Sequence, residues 1–136
     1  MKKLLLLTTF AFFLFTFSLS IDRQAFSQEH GWTDLSANIP TEADLSDVFF
    51  VSDNEGWITS SSHAEIYHTT DSGATFEIQT TQYTTNAIYM IDENEGYAGG
   101  AQGRVYRTTD GGDNWIAIGS MGVNLTDISF PPNGDT

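Results

Sequence analysis

Apolar and polar positions alternate in short bursts along this chain, and the bursts come back. Val48 and Phe50, and later Ile88 and Met90, stand two apart, the spacing of one face of a half-buried strand. Each pair is followed by an acidic turn, Asp53-Asn54-Glu55-Gly56 and Glu93-Asn94-Glu95-Gly96. The pattern predicts first strands around these pairs, second strands over 57–61 and 97–101, third strands over 65–70 and 103–109, and fourth strands over 75–80 and 114–119. No stretch beyond the N-terminal leader carries helical periodicity.

Residues 45–79 and 85–118 are two versions of one text. Val48 matches Ile88, Phe50 matches Met90 and Gly56-Trp57 matches Gly96-Tyr97 at an offset of 40; Tyr67 matches Tyr106, Asp71 matches Asp110 and Phe76 matches Trp115 at 39. One residue is therefore lost between Trp57 and Tyr67, in a loop or bulge. A third copy opens at Leu125, with Ile128 and Phe130 another 40 residues on. Gly31-Trp32-Thr33 resembles a lone fourth strand, with Trp32 in the role of Trp115. A unit near 40 residues made of four short strands predicts an all-β fold of propeller blades. The expected organisation is a lone strand near 31–35, a blade over 45–80, a blade over 85–119 and the start of a third over 125–136. Rings of this kind use about four to eight blades, so the chain reads as the N-terminal part of a larger propeller.

The first 27 residues change the picture of where the protein works. A Lys2-Lys3 start, an apolar run over 4–19 and small-x-small sites at Ser18-Leu19-Ser20 and Ala25-Phe26-Ser27 are laid out as a secretory signal peptide. The run is short for a span of about 30 Å of hydrocarbon. Export to a periplasmic, cell-surface or secreted location is the expectation, with no membrane insertion of the mature chain.

Charge narrows the partners. The chain carries 18 acidic and 5 basic side chains, a formal charge of −13, and beyond residue 27 only Arg104 and Arg107 remain as bases. Such a surface repels nucleic-acid phosphate and anionic lipid. The absence of cysteine excludes disulfides, a thiolate nucleophile and a Cys-ligated zinc.

The most specific motif is Thr69-Thr70-Asp71-Ser72-Gly73-Ala74-Thr75-Phe76, repeated as Thr108-Thr109-Asp110-Gly111-Gly112-Asp113-Asn114-Trp115. A carboxylate at the head of a tight turn can accept backbone N–H groups of that turn. Gly73 and Gly112 allow positive φ, the threonines supply strand ends with a hydroxyl, and Phe76 or Trp115 returns into the blade. These residues resemble the Asp-box, or bacterial neuraminidase repeat, of sialidases and related propellers. With Gly96-Tyr97-Ala98-Gly99-Gly100 and Val105-Tyr106-Arg107 before the second copy, residues 31–136 are most similar to the propeller of photosystem II stability/assembly factors. The resemblance implies a structural role for Thr69, Asp71, Gly73, Phe76, Thr108, Asp110, Gly112 and Trp115, at a strand turn away from any active site.

Catalytic chemistry finds little footing. A sialidase-like site would need an arginine cluster, a tyrosine nucleophile and acidic partners, whereas Arg104 and Arg107 fall three apart in one third strand. The acidic turns lack the spaced ladder of an EF-hand, and a solvated hairpin explains them. His63 and His68 have no third nitrogen or sulfur ligand nearby. Ser60-Ser61-Ser62-His63 reads as a polar strand edge, and Gly111-Gly112 serves a hairpin rather than a phosphate-binding helix start. No metal, cofactor or catalytic residue is expected. The expected function is that of an exported, non-enzymatic propeller that binds a protein, as an assembly or stability factor. A secreted glycoside hydrolase or carbohydrate-binding propeller is the alternative.

Overall fold

The computed structural model describes residues 34–40 and 42–131. The leader, Trp32 and its neighbours, and the last five residues lie outside that range. Eight strands follow one another: β1 (Leu45–Phe50), β2 (Gly56–Ser60), β3 (Glu65–Thr69), β4 (Glu77–Thr80), β5 (Thr85–Met90), β6 (Gly96–Gly100), β7 (Arg104–Thr108) and β8 (Ile116–Ser120). They build two antiparallel four-stranded meanders, β1-β2-β3-β4 and β5-β6-β7-β8. Apart from one-turn 3-10 helices at Ser36–Asn38 and Ala101–Gly103, the described residues contain no helix. The fold is all-β, and each sheet is one propeller blade.

The two blades share their register over the first three strands of each, whereas β8 alone adds a bulge, at Ile118. Trp57 lies opposite Phe49 and His68, and Tyr97 lies opposite Tyr89 and Arg107. Each inner strand is bulged at one place, so that Ser46 and Asn86 are the extra residues. A bulge re-aims a side chain, and here both side chains reach the next repeat. The Ser46 hydroxyl donates to the Thr85 carbonyl at 2.9 Å, and the Asn86 amide to the Leu125 carbonyl at 2.9 Å. The residue lost between the copies is absorbed in the β2–β3 connection, which runs over 61–64 in the first blade and 101–103 in the second.

The core lies between the blades. Trp57 and Ile66 of the first meet Ile88, Met90, Ala98 and Tyr106 of the second, flanked by Phe49, Val51 and Trp115. The opposite side of the first blade is open in part: Val48 is 56% exposed where its counterpart Ile88 is 3% exposed, although Tyr67, in the same cross-strand row, is buried.

Residues 125–130, expected to open a third blade, form no strand. A strand needs a ladder, and the described residues offer this stretch none. It nevertheless lies across the second blade. The Leu125 N–H donates to the Gly100 carbonyl at 3.0 Å. The Phe130 ring stands 5.1 Å from Tyr89 and 5.0 Å from Tyr97. Its counterpart Met90 packs with Phe49 and Trp57 in the same way. Of the expected lone strand near 31–35, residues 31–33 lie outside the described range, and Asp34 and Leu35 are not in a strand. The 3-10 turn that follows directs the Asn38 amide onto the Gly73 carbonyl at 2.9 Å.

Candidate functional site

Each third strand ends on a buried threonine, and its hydroxyl organises the turn that follows. Thr69 Oγ1 donates to Asp71 Oδ1 at 2.8 Å and accepts the N–H groups of Gly73, at 2.9 Å, and Asp71, at 3.3 Å. Thr108 Oγ1 does the same with Asp110 Oδ1 at 2.8 Å, the Gly112 N–H at 2.8 Å and the Asp110 N–H at 3.3 Å. The carboxylates complete the ring. Asp71 accepts the Thr75 N–H at 2.8 Å and the Thr75 hydroxyl at 2.7 Å. Asp110 accepts the Asn114 N–H at 2.9 Å and the Asn114 side-chain amide at 2.8 Å. The motif thus has a second anchor, Thr75 or Asn114, beyond the eight residues to which the resemblance assigns a role. Its signal was there: both side chains carry a hydrogen-bond donor four residues after the aspartate.

The backbone inside each turn is left-handed at two successive residues. The φ values are 61° and 84° at Ser72 and Gly73, and 69° and 94° at Gly111 and Gly112. Glycine takes this conformation without a Cβ clash; Ser72 takes it with its hydroxyl donating to the Asp53 carbonyl at 3.0 Å and to Asn54 Oδ1 at 2.9 Å. The N–H groups of Ser72 and Gly111 reach the Asn54 and Asn94 carbonyls at 2.9 Å, so each Asp-box is tied to the acidic turn of its own blade.

Protonation follows from this wiring. The Thr75 hydroxyl, the Thr75 N–H and the Thr69 hydroxyl hold the Asp71 carboxyl below the ordinary aspartate value. The Asn114 side chain, the Asn114 N–H and the Thr108 hydroxyl do so for Asp110. The N–H groups of Glu95 and Asn94 do so for Asp92. These carboxylates stay ionised with their lone pairs occupied by the turn, which suits a structural role and not proton transfer.

A seam joins the blades at the same end. Trp57 Nε1 donates to the Gly111 carbonyl at 3.0 Å, and Gln79 Nε2 donates to it at 2.9 Å. The Gln79 amide oxygen accepts Trp115 Nε1 at 3.1 Å. The Trp115 indole therefore ends on a side chain of the other blade rather than on a main-chain carbonyl. Phe76 is half-buried and borders the Gly73 turn.

Beside the seam, each blade pairs a third-strand nitrogen side chain with a turn glutamate. His68 lies parallel to the Trp57 indole, with centroids 4.5 Å apart, and meets Glu55 at 3.1 Å. Arg107 meets Glu95 at 2.7 Å, a contact that raises the guanidinium's proton affinity. The other arginine, Arg104, covers the Tyr83 ring at 5.3 Å. The two arginines are thus separately engaged and form no anion-binding pair. His63 meets the Ser62 hydroxyl at 3.0 Å in an exposed loop. Between the lower ends of β1 and β5 runs an open groove of about 470 Å³, lined by Phe49, Phe50, Val51, Tyr89, Met90 and Ile91, with Asp92 and Glu93 at its rim.

Comparison with known proteins agrees with this architecture. No curated protein matches the chain. A solved structure described as YCF48 bound to D1 peptide matches with a TM-score of 0.53 and 31% identity, over 60% of this chain and 27% of that one. This chain therefore spans about a quarter of the length of that relative. The family model of the photosynthesis system II assembly factor YCF48, a BNR-repeat family, matches residues 24–126. With most of its length under that model, and two Asp-box blades beneath it, the chain belongs to the YCF48 assembly-factor family of propellers.

Proposed function

We propose that this chain is an exported, non-enzymatic assembly or stability factor that works by binding protein. The observation that carries the reading is the family match over residues 24–126, joined to a relative whose solved structure holds a peptide. The chemistry of the blades supports it. Both Asp-box carboxylates are consumed by their own turns, and both arginines are engaged separately, so the described residues gather no acid–base pair around an anion site. What they provide is a rigid sheet pair with surface loops and edges, the usual equipment of a recognition scaffold. Export is inferred from the basic start and apolar run of the leader.

The test is cross-linking of the tagged full chain in its source cells, identification of the captured protein, and titration of that purified protein against the chain. A saturable one-to-one complex is expected. Hydrolysis of glycosides by the purified chain, with no protein captured, would replace the reading with the glycosidase alternative.

A further inference from the structure

We propose that the open groove between the lower ends of β1 and β5 docks a basic segment of a partner protein, seating one apolar side chain of that segment and setting the lysine or arginine side chains beside it against the acidic turns. This deepens the protein-binding reading and rests on it.

Both walls of the groove are in place, one from each blade. Phe49 of β1 meets Tyr89 of β5 with ring centroids 5.0 Å apart. Past the ends of these strands, the Val51 N–H reaches the Glu55 carbonyl at 3.0 Å and the Ile91 N–H reaches the Glu95 carbonyl at 2.8 Å. Each acidic turn is thereby closed on its own blade, and the groove opens between the two. Turn positions usually carry polar or small residues. Here both repeats begin the turn with an aliphatic one, Val51 and Ile91, and both side chains line the groove. Its volume of about 470 Å³ lies within the range of about 300–1,000 Å³ usual for sites that take a ligand.

Charge names the occupant. The acidic turns and the Asp-boxes lie at this same end of the blades, joined by the Ser72 and Gly111 N–H groups on the Asn54 and Asn94 carbonyls. The bases of this end are already used, His68 by Glu55 and Arg107 by Glu95. Arg104 opens β7 at the other end, over the Tyr83 ring. Asp92 and Glu93 on the rim, and Asp53 in the first turn, therefore meet no cation among the described residues. Asp92 accepts the Asn94 and Glu95 N–H groups and stays ionised. Carboxylates beside an apolar groove complement a segment in which basic side chains flank an apolar one. A second copy would bring the same acidic turns and a formal charge of −13, so it is opposed.

The probe is a blocked fluorescent peptide with one leucine between two pairs of lysines. It is titrated into the full chain by anisotropy at about 0.15 M salt, where charges are screened beyond about 8 Å. Saturable binding is expected, and a photoreactive side chain in place of the leucine should cross-link within residues 49–52 or 89–93. Glu93→Lys is expected to weaken binding about tenfold or more, and Ile91→Gln about threefold or more. Both positions are exposed and lie outside the strands, so neither change touches the core. Asp44→Lys makes the same charge change before β1, about 20 Å of strand away. It is expected to alter affinity less than about twofold.

Equal weakening by Glu93→Lys and Asp44→Lys would reduce the binding to attraction by the chain's overall charge. Undiminished binding of a peptide with glutamine for leucine would show that nothing enters the groove. Either result overturns the proposal. So does cross-linking that falls wholly outside 49–52 and 89–93, or no binding at all, whether residues 1–33 or a second copy fill the groove. If Glu93→Lys leaves capture of the cellular partner intact, the groove is excluded while the assembly-factor reading stands. If the wild type captures no partner, that reading fails whatever the peptide does, and the proposal falls with it.

Discussion

A single hydroxyl at the end of each third strand joins three groups of the following turn. Thr108 is buried, and its Oγ1 serves Asp110 and the Gly112 N–H together. Thr108→Val keeps the shape but leaves that N–H and one carboxylate oxygen short of a partner. A loss of about 1–3 kcal/mol is expected, read by urea unfolding, while Thr108→Ser should retain most of the stability. The pH dependence belongs to the same residues. The Asp71, Asp92 and Asp110 carboxyls sit lower in the folded chain than in the unfolded one. Their contribution is therefore present above the unfolded value of about 3.9. It is lost as pH falls through the lower folded values, because the unfolded chain then binds more protons. In thermal melts from pH 6 to about 2.5, the wild type should lose its advantage over the Asp71→Asn, Asp110→Asn double variant only at the acidic end. A gap that stays constant across that range would mean that the carboxylates contribute nothing as ions. At this scale the aspartates, threonines and glycines were readable, because their spacing repeats. Thr75 and Asn114 were not, because two residue types perform one task and a residue-by-residue comparison sees them as unlike.

The strands were foreseen as elements because alternation and turn residues agree, but their connections across blades were not. The bulges at Ser46 and Asn86 are one example. Nothing local marks a bulge; it is explained only by the carbonyl that each side chain reaches in the next repeat. The clamp on Gly111 is another, since Trp57 and Gln79 are 22 residues apart in sequence and converge on a third segment. Because both donate to one carbonyl, their contributions should not add. Trp57→Phe and Gln79→Leu are each expected to cost roughly 1 kcal/mol or more. The double variant should differ from the sum of the two by at least about 0.5 kcal/mol in a denaturation cycle. Strict additivity would show that the two donors act independently and that the clamp is not one unit.

Over the whole molecule, what could be read from sequence was the unit and its repetition; what could not was which face of each unit would be covered. Val48 and Ile88 look equivalent on paper, as do Phe50 and Met90, and no property of the residues separates them. Their surroundings do. Ile88 and Met90 press on Trp57 and Ile66, while Val48 and Phe50 face away from the second blade. The same asymmetry explains why residues 125–130 keep the packing of an inner strand without its ladder: Phe130 finds the rings of Tyr89 and Tyr97, which the second blade supplies, but no neighbour to pair with among the described residues. Stability should therefore depend on which blade carries a substitution rather than on its place in the repeat. Met90→Ala opens a cavity in the only packed sheet-to-sheet contact among the described residues and is expected to cost about 2–5 kcal/mol. Val48→Ala, at an exposed position, is expected to cost about 0.5 kcal/mol or less. Both are read from urea midpoints of the full chain. A comparable loss from the two would mean that the outer face of the first blade is buried in solution. The contact between β1 and β5 would then be one of at least two such seams in the folded protein.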